Sequence, residues 1–456
     1  MSNTSRYIEI RPDNIPADGK ISFKNGFPVL SFTISAQEGM LDPSTIRILG
    51  EFSAFKDNLA VTADGLPGPT RLTTGDGVTM NNRLGIYNVI ESLTIRAARS
   101  KMICESIRSY SKFMNTYLAC TSSLQDQLGH LSQTCLIHPN AETFRKSVME
   151  NGSNAVSQTN QFSFHLPCGF CQSGNMVNLR ADAFGGIQIE LQLQPDSNVL
   201  FSNAGSTVGI GDCHYQLSNL KLTCEVADIP PGELVNGESQ GVYEFNTITS
   251  LYTSINSTNA QIQYSLGLSN VISAFMTFMP VSNINTLTRD GMATTYPSGD
   301  GATLTNLAPI RRVQFLKGGS KYPADFDYVN NITDTNNTRT LMPDPEIVKG
   351  LVKAVHPDTG YSMERLALSL ANMNRDYNMV HGATSDTEYN NIPEGGAVMG
   401  LGVKYGIGEA GEDFSQEQFG VSIDSDLKSD NPIGVFIFIK SRAQLLYSPT
   451  GVQLRN

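Results

Sequence analysis

Tryptophan is absent from all 456 residues. Proteins that bind or cleave sugars usually stack them on exposed aromatic rings, and hydrolysis needs paired carboxylates facing a cleft. The missing Trp counts against that class. Charge is also scarce: Asp, Glu, Lys and Arg make up 16% of the chain, against about a quarter in an average domain. The balance is acidic, 43 acidic side chains against 32 basic ones, for a formal net charge of −11. No run of Lys and Arg exceeds two residues. A phosphate backbone demands clustered positive charge, so sequence-specific nucleic-acid binding is not expected; Arg311-Arg312 offers a local basic face.

No apolar run approaches the roughly 18 residues of a membrane-spanning helix. The opening stretch MSNTSRYIEIRPDNIPADGK lacks the basic-then-apolar design of a secretory signal. Both absences predict a soluble chain made in the cytosol or its equivalent. The Asn-x-Ser/Thr triplets at Asn3, Asn151, Asn256, Asn331 and Asn336 then read as chance in an Asn/Thr-rich chain. Seven cysteines, Cys104, Cys120, Cys135, Cys168, Cys171, Cys213 and Cys224, all fall in the first half. An odd count confined to one half fits reduced structural thiols better than a disulfide framework.

Catalytic signatures are equally thin. Cys168-Gly169-Phe170-Cys171 is a C-x-x-C, but a zinc site needs a second pair, and Cys213-His214 with Cys224 matches no ligand knuckle. A thioredoxin-like role would want a helix N-terminus after a strand, which the pattern does not offer. Cys168 and Cys171 are thus the only residues that keep a metal reading open. Asp358-Thr359-Gly360 is a lone copy of a triplet that works in pairs, and reads as a turn. Gly406-Ile407-Gly408-Glu409-Ala410-Gly411 spells G-x-G-x-x-G. Its neighbours Glu409, Glu412 and Asp413 would repel a pyrophosphate, so a glycine-rich loop is the better reading. The six histidines, His130, His138, His165, His214, His356 and His381, sit in no catalytic motif. No catalytic residue, cofactor or bound metal is expected.

What the chain does have is β pattern. In GGIQIELQLQPDSNVLF (185–201), Ile187, Ile189, Leu191 and Leu193 alternate with Gln188, Glu190, Gln192 and Gln194, the period-two signature of a half-buried strand. Pro195-Asp196-Ser197-Asn198 stops it with turn chemistry. Further strands are predicted at 27–35, 45–52, 87–96, 161–166 and 215–226, and, in the second half, at 241–249, 261–268, 271–280, 310–317 and 433–440. The segment 100–120 reads as a helix with Ile103, Ile107, Tyr110, Met114 and Tyr117 on one face, with weaker helical character over 121–150. Helices are also predicted at 345–355 and 362–374. Residues 1–20, broken by Pro12 and Pro16, read as an extended arm, and DIPPGELVNGESQ near 228–240 as a linker. The two halves repeat an order of elements at negligible identity, which suggests two copies of one β-domain.

At 161–201 the residues QFSFHLPCGFC and FGGIQIELQLQPDSNVLF resemble the closing part of the first jelly roll in double jelly-roll major capsid proteins. The likeness is greatest to the polinton-like virus and virophage branch of double-stranded DNA viruses. YNVIESLTIRAARSKMICESIRSYSKFMNTYL (87–118) is similar to the same family, as a strand followed by an inserted helix. The resemblance implies an all-β fold of two consecutive eight-stranded antiparallel jelly rolls, with a helical insertion in the first and one or two short helices in the second. The expected division is arm 1–20, first jelly roll 21–228, linker 229–240, second jelly roll 241–445 and tail 446–456. It further implies a non-enzymatic capsid protein of the virion, assembled inside the host cell. The partners so implied are two further copies in a pseudo-hexagonal homotrimer, neighbouring capsomers of an icosahedral shell, penton and minor capsid proteins, and an internal membrane. The alternative class is a secreted or surface jelly-roll protein that binds or cleaves carbohydrate; an adhesin or spike would show fibrous repeats, which are absent.

Overall fold

The computed structural model describes residues 5–24, 26, 28–61, 67–72, 76–138, 141–149, 160–180, 184–202, 213–228, 241–285, 287, 290–291, 310–322, 328–329, 345–356, 400–406, 410–425, 432–448 and 451–455. Sixteen strands form the frame. The first eight are β1 (Ser5–Ile10), β2 (Val29–Ser35), β3 (Met40–Val61), β4 (Ile90–Ala97), β5 (Ile103–Arg108), β6 (Asn160–His165), β7 (Gly186–Leu193) and β8 (Cys213–Ala227). The second eight are β9 (Gly241–Ile255), β10 (Asn259–Ser265), β11 (Val271–Pro280), β12 (Ile310–Lys317), β13 (Tyr328–Val329), β14 (Leu401–Lys404), β15 (Gln418–Ser425) and β16 (Ile433–Ser448).

Their pairing repeats. One sheet of the first half runs β1-β8-β3-β6 and its companion β2-β7-β4-β5; the second half runs β9-β16-β11-β14 and β10-β15-β12-β13. Subtracting eight from each label of the second set returns the first set. Every pair is antiparallel. In each half the first strand therefore pairs with the last and the second with the seventh. That nesting wraps a long hairpin into two facing sheets, the jelly-roll topology.

The stretch at 187–194 becomes β7, flanked by β2 and β4, with Ile189 opposite Phe32 and Ile95 and Leu191 opposite Leu30 and Leu93. Ile187, Ile189, Leu191 and Leu193 are buried, Gln188 and Glu190 are half-buried and Gln192 is exposed, while Gln194, just past the strand, is buried. Each such aliphatic side chain contributes about 1.5–3 kcal/mol by leaving water. The turn after it is one helical turn, Asp196–Val199. Asp196 Oδ1 accepts the Tyr215 N–H at 2.9 Å and Tyr215 Oη donates to the Gln194 carbonyl at 2.6 Å, so the turn is fastened to β8.

Three expectations are corrected. The segment 100–120 is a strand and then a helix: Ile103–Arg108 pairs with β4, and helix α1 begins at Tyr110 and runs to Thr121. Ile103 and Ile107 are four residues apart, and four is a multiple of the strand period, so their spacing could not separate the two. Tertiary pairing with β4 decides it. The expected arm over 1–20 is in part β1, whose Ile8 and Ile10 pack on the core. It pairs with residues Leu222–Ala227 of β8. The expected tail over 446–456 continues β16 to Ser448 and returns as a hairpin strand, Gly451–Arg455. Over 121–150, short helical turns at Leu124–Leu128, His130–Thr134 and Ala141–Phe144 lead into a wider turn at Arg145–Met149. Helix α2 is Pro345–Val355, as the pattern predicts. The expected linker over 229–240 and helix over 362–374 lie outside the described residues.

β16 shows why the barrels are not separate beads. In Ile433-Gly434-Val435-Phe436-Ile437-Phe438-Ile439 every residue is buried. Val435, Ile437 and Ile439 point with Ala274, Met276 and Phe278 of β11, while Phe436 and Phe438 pair with Thr277 and Phe275 on the opposite face. A continuous apolar run is the mark of a strand covered on both sides. One cover is the second barrel's own core; the other is made by the helices.

Candidate functional site: the seam between the barrels

Helix α1 is the wedge. Ser109 takes a left-handed conformation (φ 52°) as the chain leaves β5, which turns the helix off the first barrel. Nine of its twelve residues are buried, Tyr110 to Thr116 together with Leu118 and Ala119, as befits a helix packed on more than one side. Phe113 meets Phe438 edge-on at 5.6 Å and Phe275 at 6.1 Å, both in the second barrel. Helix α2 lies on the same outer face: the Ser273 hydroxyl donates to the Ala354 carbonyl at 2.6 Å. Tyr117 of α1 sits 5.5 Å from the ring of His356 just beyond α2.

Two buried charges lie in this seam. Glu105 of β5 is 2% exposed. Its Oε1 accepts N–H bonds from Gly169 (3.1 Å) and Ile248 (3.0 Å), and Oε2 accepts from Phe170 (2.7 Å). Ile248 belongs to β9, so one carboxylate ties the loop after β6 to the first strand of the second barrel. Burial pushes its pKa up, against the pull of the amides and the Cys168 thiol. Lys112 of α1 is the second. Its ammonium donates to the Gly291 carbonyl, and burial lowers its pKa to about 8, against the attraction of Asp290 and Glu91. Asp290 in turn accepts from Asn81 Nδ2 at 2.7 Å, which again joins the halves.

The C-x-x-C is part of the same joint. Residues 168–171 form a tight turn in which Gln172 N–H donates to the carbonyls of Cys168 (3.1 Å) and Gly169 (3.2 Å). Gly169 lies so close to β9 that a Cβ there would overlap the Asn246 carbonyl; only Gly fits. Phe170 packs against Tyr243 (4.9 Å) and Phe245 (5.7 Å) of β9, and the Tyr243 hydroxyl donates to its carbonyl at 2.7 Å. Both cysteines are free thiols and buried. Burial, the neighbouring Cys171 thiol and the nearby charge of Glu105 raise the Cys168 pKa well above the usual thiol range. Cys213, His214 and Cys224 lie apart, on β8. No group of three or more metal-ligating side chains forms among the described residues. The turn Pro195–Asn198 also joins the seam, because Asn198 Oδ1 accepts the Asn285 N–H at 2.8 Å.

Between the barrels an open cleft of about 600 Å³ is lined by Tyr117, Cys171, Gln172, Asn246, His356 and Arg442, among others. Gly406 opens the glycine-rich loop at φ 69°. Beyond it, Glu412 holds Lys317 at 3.0 Å and the Tyr322 hydroxyl at 2.5 Å, which makes this an ion-paired loop base. Arg312 is exposed on β12. Asp358-Thr359-Gly360 lies outside the described residues. Glu105 and Lys112 were not singled out by motif. The signal was present: once ICESIR is a strand, Glu105 shares a face with the buried Ile107.

No family model matches the chain, and no curated protein matches it by sequence. Solved structures do match. The PBCV-1 protein VP54, fitted into a reconstruction of the virophage Sputnik, is 9% identical and superposes with a TM-score of 0.53 over 100% of this chain and 98% of that one. The quasi-atomic model of the PBCV-1 virus capsid is 10% identical at a TM-score of 0.53, over 100% and 98%. The Sputnik virophage structure is 11% identical at 0.53, over 100% and 89%. The chain has the double jelly-roll fold. The match spans the whole chain, both barrels included.

Proposed function

We propose that this chain is a major capsid protein of the virion, and that three copies assemble into a pseudo-hexagonal capsomer of an icosahedral double-stranded DNA virus shell. The observation that carries the reading is the whole-chain likeness to capsid proteins of Sputnik and PBCV-1, in a molecule whose two barrels share one core. Two barrels fixed side by side give a trimer six similar barrels around its axis, and closed rotational symmetry limits the growth of such an assembly. In the proposed division, barrel one spans 5–228, a linker 229–240, and barrel two 241–455. Neighbouring capsomers, penton and minor capsid proteins and an internal membrane are the proposed partners. A net charge of −11 suits a shell that does not grip its genome directly.

The test is assembly. Purified protein analysed by light scattering should be a stable trimer of 49.5-kDa chains, and negative-stain microscopy should show hexagonal outlines, arrays or particles. A monomer at all concentrations that binds glycans on an array would overturn the reading in favour of a carbohydrate-binding jelly roll.

A further inference from the structure

We infer that Cys168 and Cys171 form a redox-active dithiol that closes to a disulfide by exchange with a low-molecular-weight disulfide of the glutathione type, with Glu105 as the base. The geometry has four parts. The turn at 168–172 places the two cysteines three residues apart, and a turn brings such Cα atoms within about 7 Å, the span a disulfide bridges. The two thiols lie within electrostatic reach of each other inside that turn. Cys171 lines the open cleft whereas Cys168 does not, so a reagent in the cleft meets Cys171 first. Glu105 accepts the amides of Gly169 and Phe170, the two residues between the cysteines, which sets its carboxylate beside the inner cysteine as a proton acceptor in a place water does not reach.

The chemistry follows from that order. The Cys171 thiolate attacks one sulfur of the small disulfide; a mixed disulfide forms on Cys171 and one thiolate leaves through the cleft. Cys168 then passes its proton to Glu105, and its sulfur attacks the Cys171 sulfur. The second small thiolate departs, taking a proton from Glu105 or solvent. Two cysteine thiols are oxidised by two electrons, and one small disulfide is reduced to two thiols. The raised pKa of Glu105 suits it to accept that proton. Its three amide donors are backbone groups, so they survive the closure and the seam stays in register.

The full chain, reduced and freed of reductant, is incubated in graded mixtures of oxidised and reduced glutathione. It is then quenched in acid, unfolded, alkylated with iodoacetamide and digested, and the peptide spanning 160–180 is weighed. Closure is expected to leave that peptide unalkylated and two hydrogen atoms lighter, while Cys104, Cys135, Cys213 and Cys224 take up the label. Cys168→Ser should stop with glutathione on Cys171, and Cys171→Ser should leave Cys168 unmodified. Glu105→Gln should slow closure by about a hundredfold and let the mixed disulfide accumulate on Cys171, which a loosened joint alone would not do. Two alkylated cysteines in the most oxidising buffer, or a Cys168→Ser chain without glutathione on Cys171, would overturn the inference. Closure at the wild-type rate in Glu105→Gln would remove the carboxylate from it.

Discussion

Glu105 has exchanged water for three backbone amides, two from one barrel and one from the other. Replacing a solvation shell this way makes the residue intolerant of its neighbours' movement, and the tightest neighbour is Gly169. Gly169→Ala should push β9 away and cost about 3 kcal/mol, read as a lower urea midpoint at unchanged slope. Lys112 should leave a pH signature. Its folded pKa is depressed from 10.5 to about 8, so the unfolded chain holds the proton more tightly. The stability it contributes is complete above its unfolded value and is lost as pH falls through the folded one. Between the two, wild type should gain on Lys112→Met by about 1.4 kcal/mol per pH unit. Urea unfolding of both chains across that window measures the slope, and the difference cancels the tyrosines. On the outer face of β7, Glu190 pairs with Arg96 across the strands, so Glu190→Gln should cost no more than about 1 kcal/mol.

At the scale of elements, β7 and α1 carry opposite kinds of burden. β7 is a half-buried strand, and Leu191→Asp places an unpaired charge in its core; the chain should then fail to fold into soluble protein. α1 fills the space between two barrels, and Phe113→Ala removes the ring that touches Phe275 and Phe438. That change should cost about 3–5 kcal/mol and split a single calorimetric unfolding transition into two. The same contrast explains what could be read beforehand. β12 and helix α2 match their expected spans residue for residue, and β7 to within one residue, because one face meets water and the pattern records it; β11 also matches, as an apolar run buried throughout Val271–Met279. The helix boundary near Ser109 was not legible, since Ile103 and Ile107 fit both periods. Nor was β1, whose exposed pattern (Tyr7 is 75% exposed) looks like an arm until β8 supplies its partner. The seam itself was invisible because it joins residues such as Glu105 and Ile248, whose proximity no local pattern encodes. The cysteine pair was legible as a motif, but its setting was not.

At the scale of the whole molecule, the first strand of each barrel is also its edge, paired with the last. Deleting residues 1–10 should uncover the Leu222–Ala227 end of β8, and an open strand edge invites pairing with other chains. Such a truncation should raise the aggregated fraction in size-exclusion chromatography relative to the full chain.

The two-sided burial of β16 has one more consequence. Although the barrels share a topology, they are no longer interchangeable parts. The second has an outward-facing row of phenylalanines that α1 and α2 cover, and α1 is encoded in the first. Expressed alone, residues 241–456 should leave Phe436 and Phe438 without the cover of α1 and precipitate, whereas co-expression with residues 1–228 should rescue it as a complex. The molecule carries the imprint of a repeat, but it behaves as a lock cut for one key. A change on one side of the seam sets the terms for what its partner side can become.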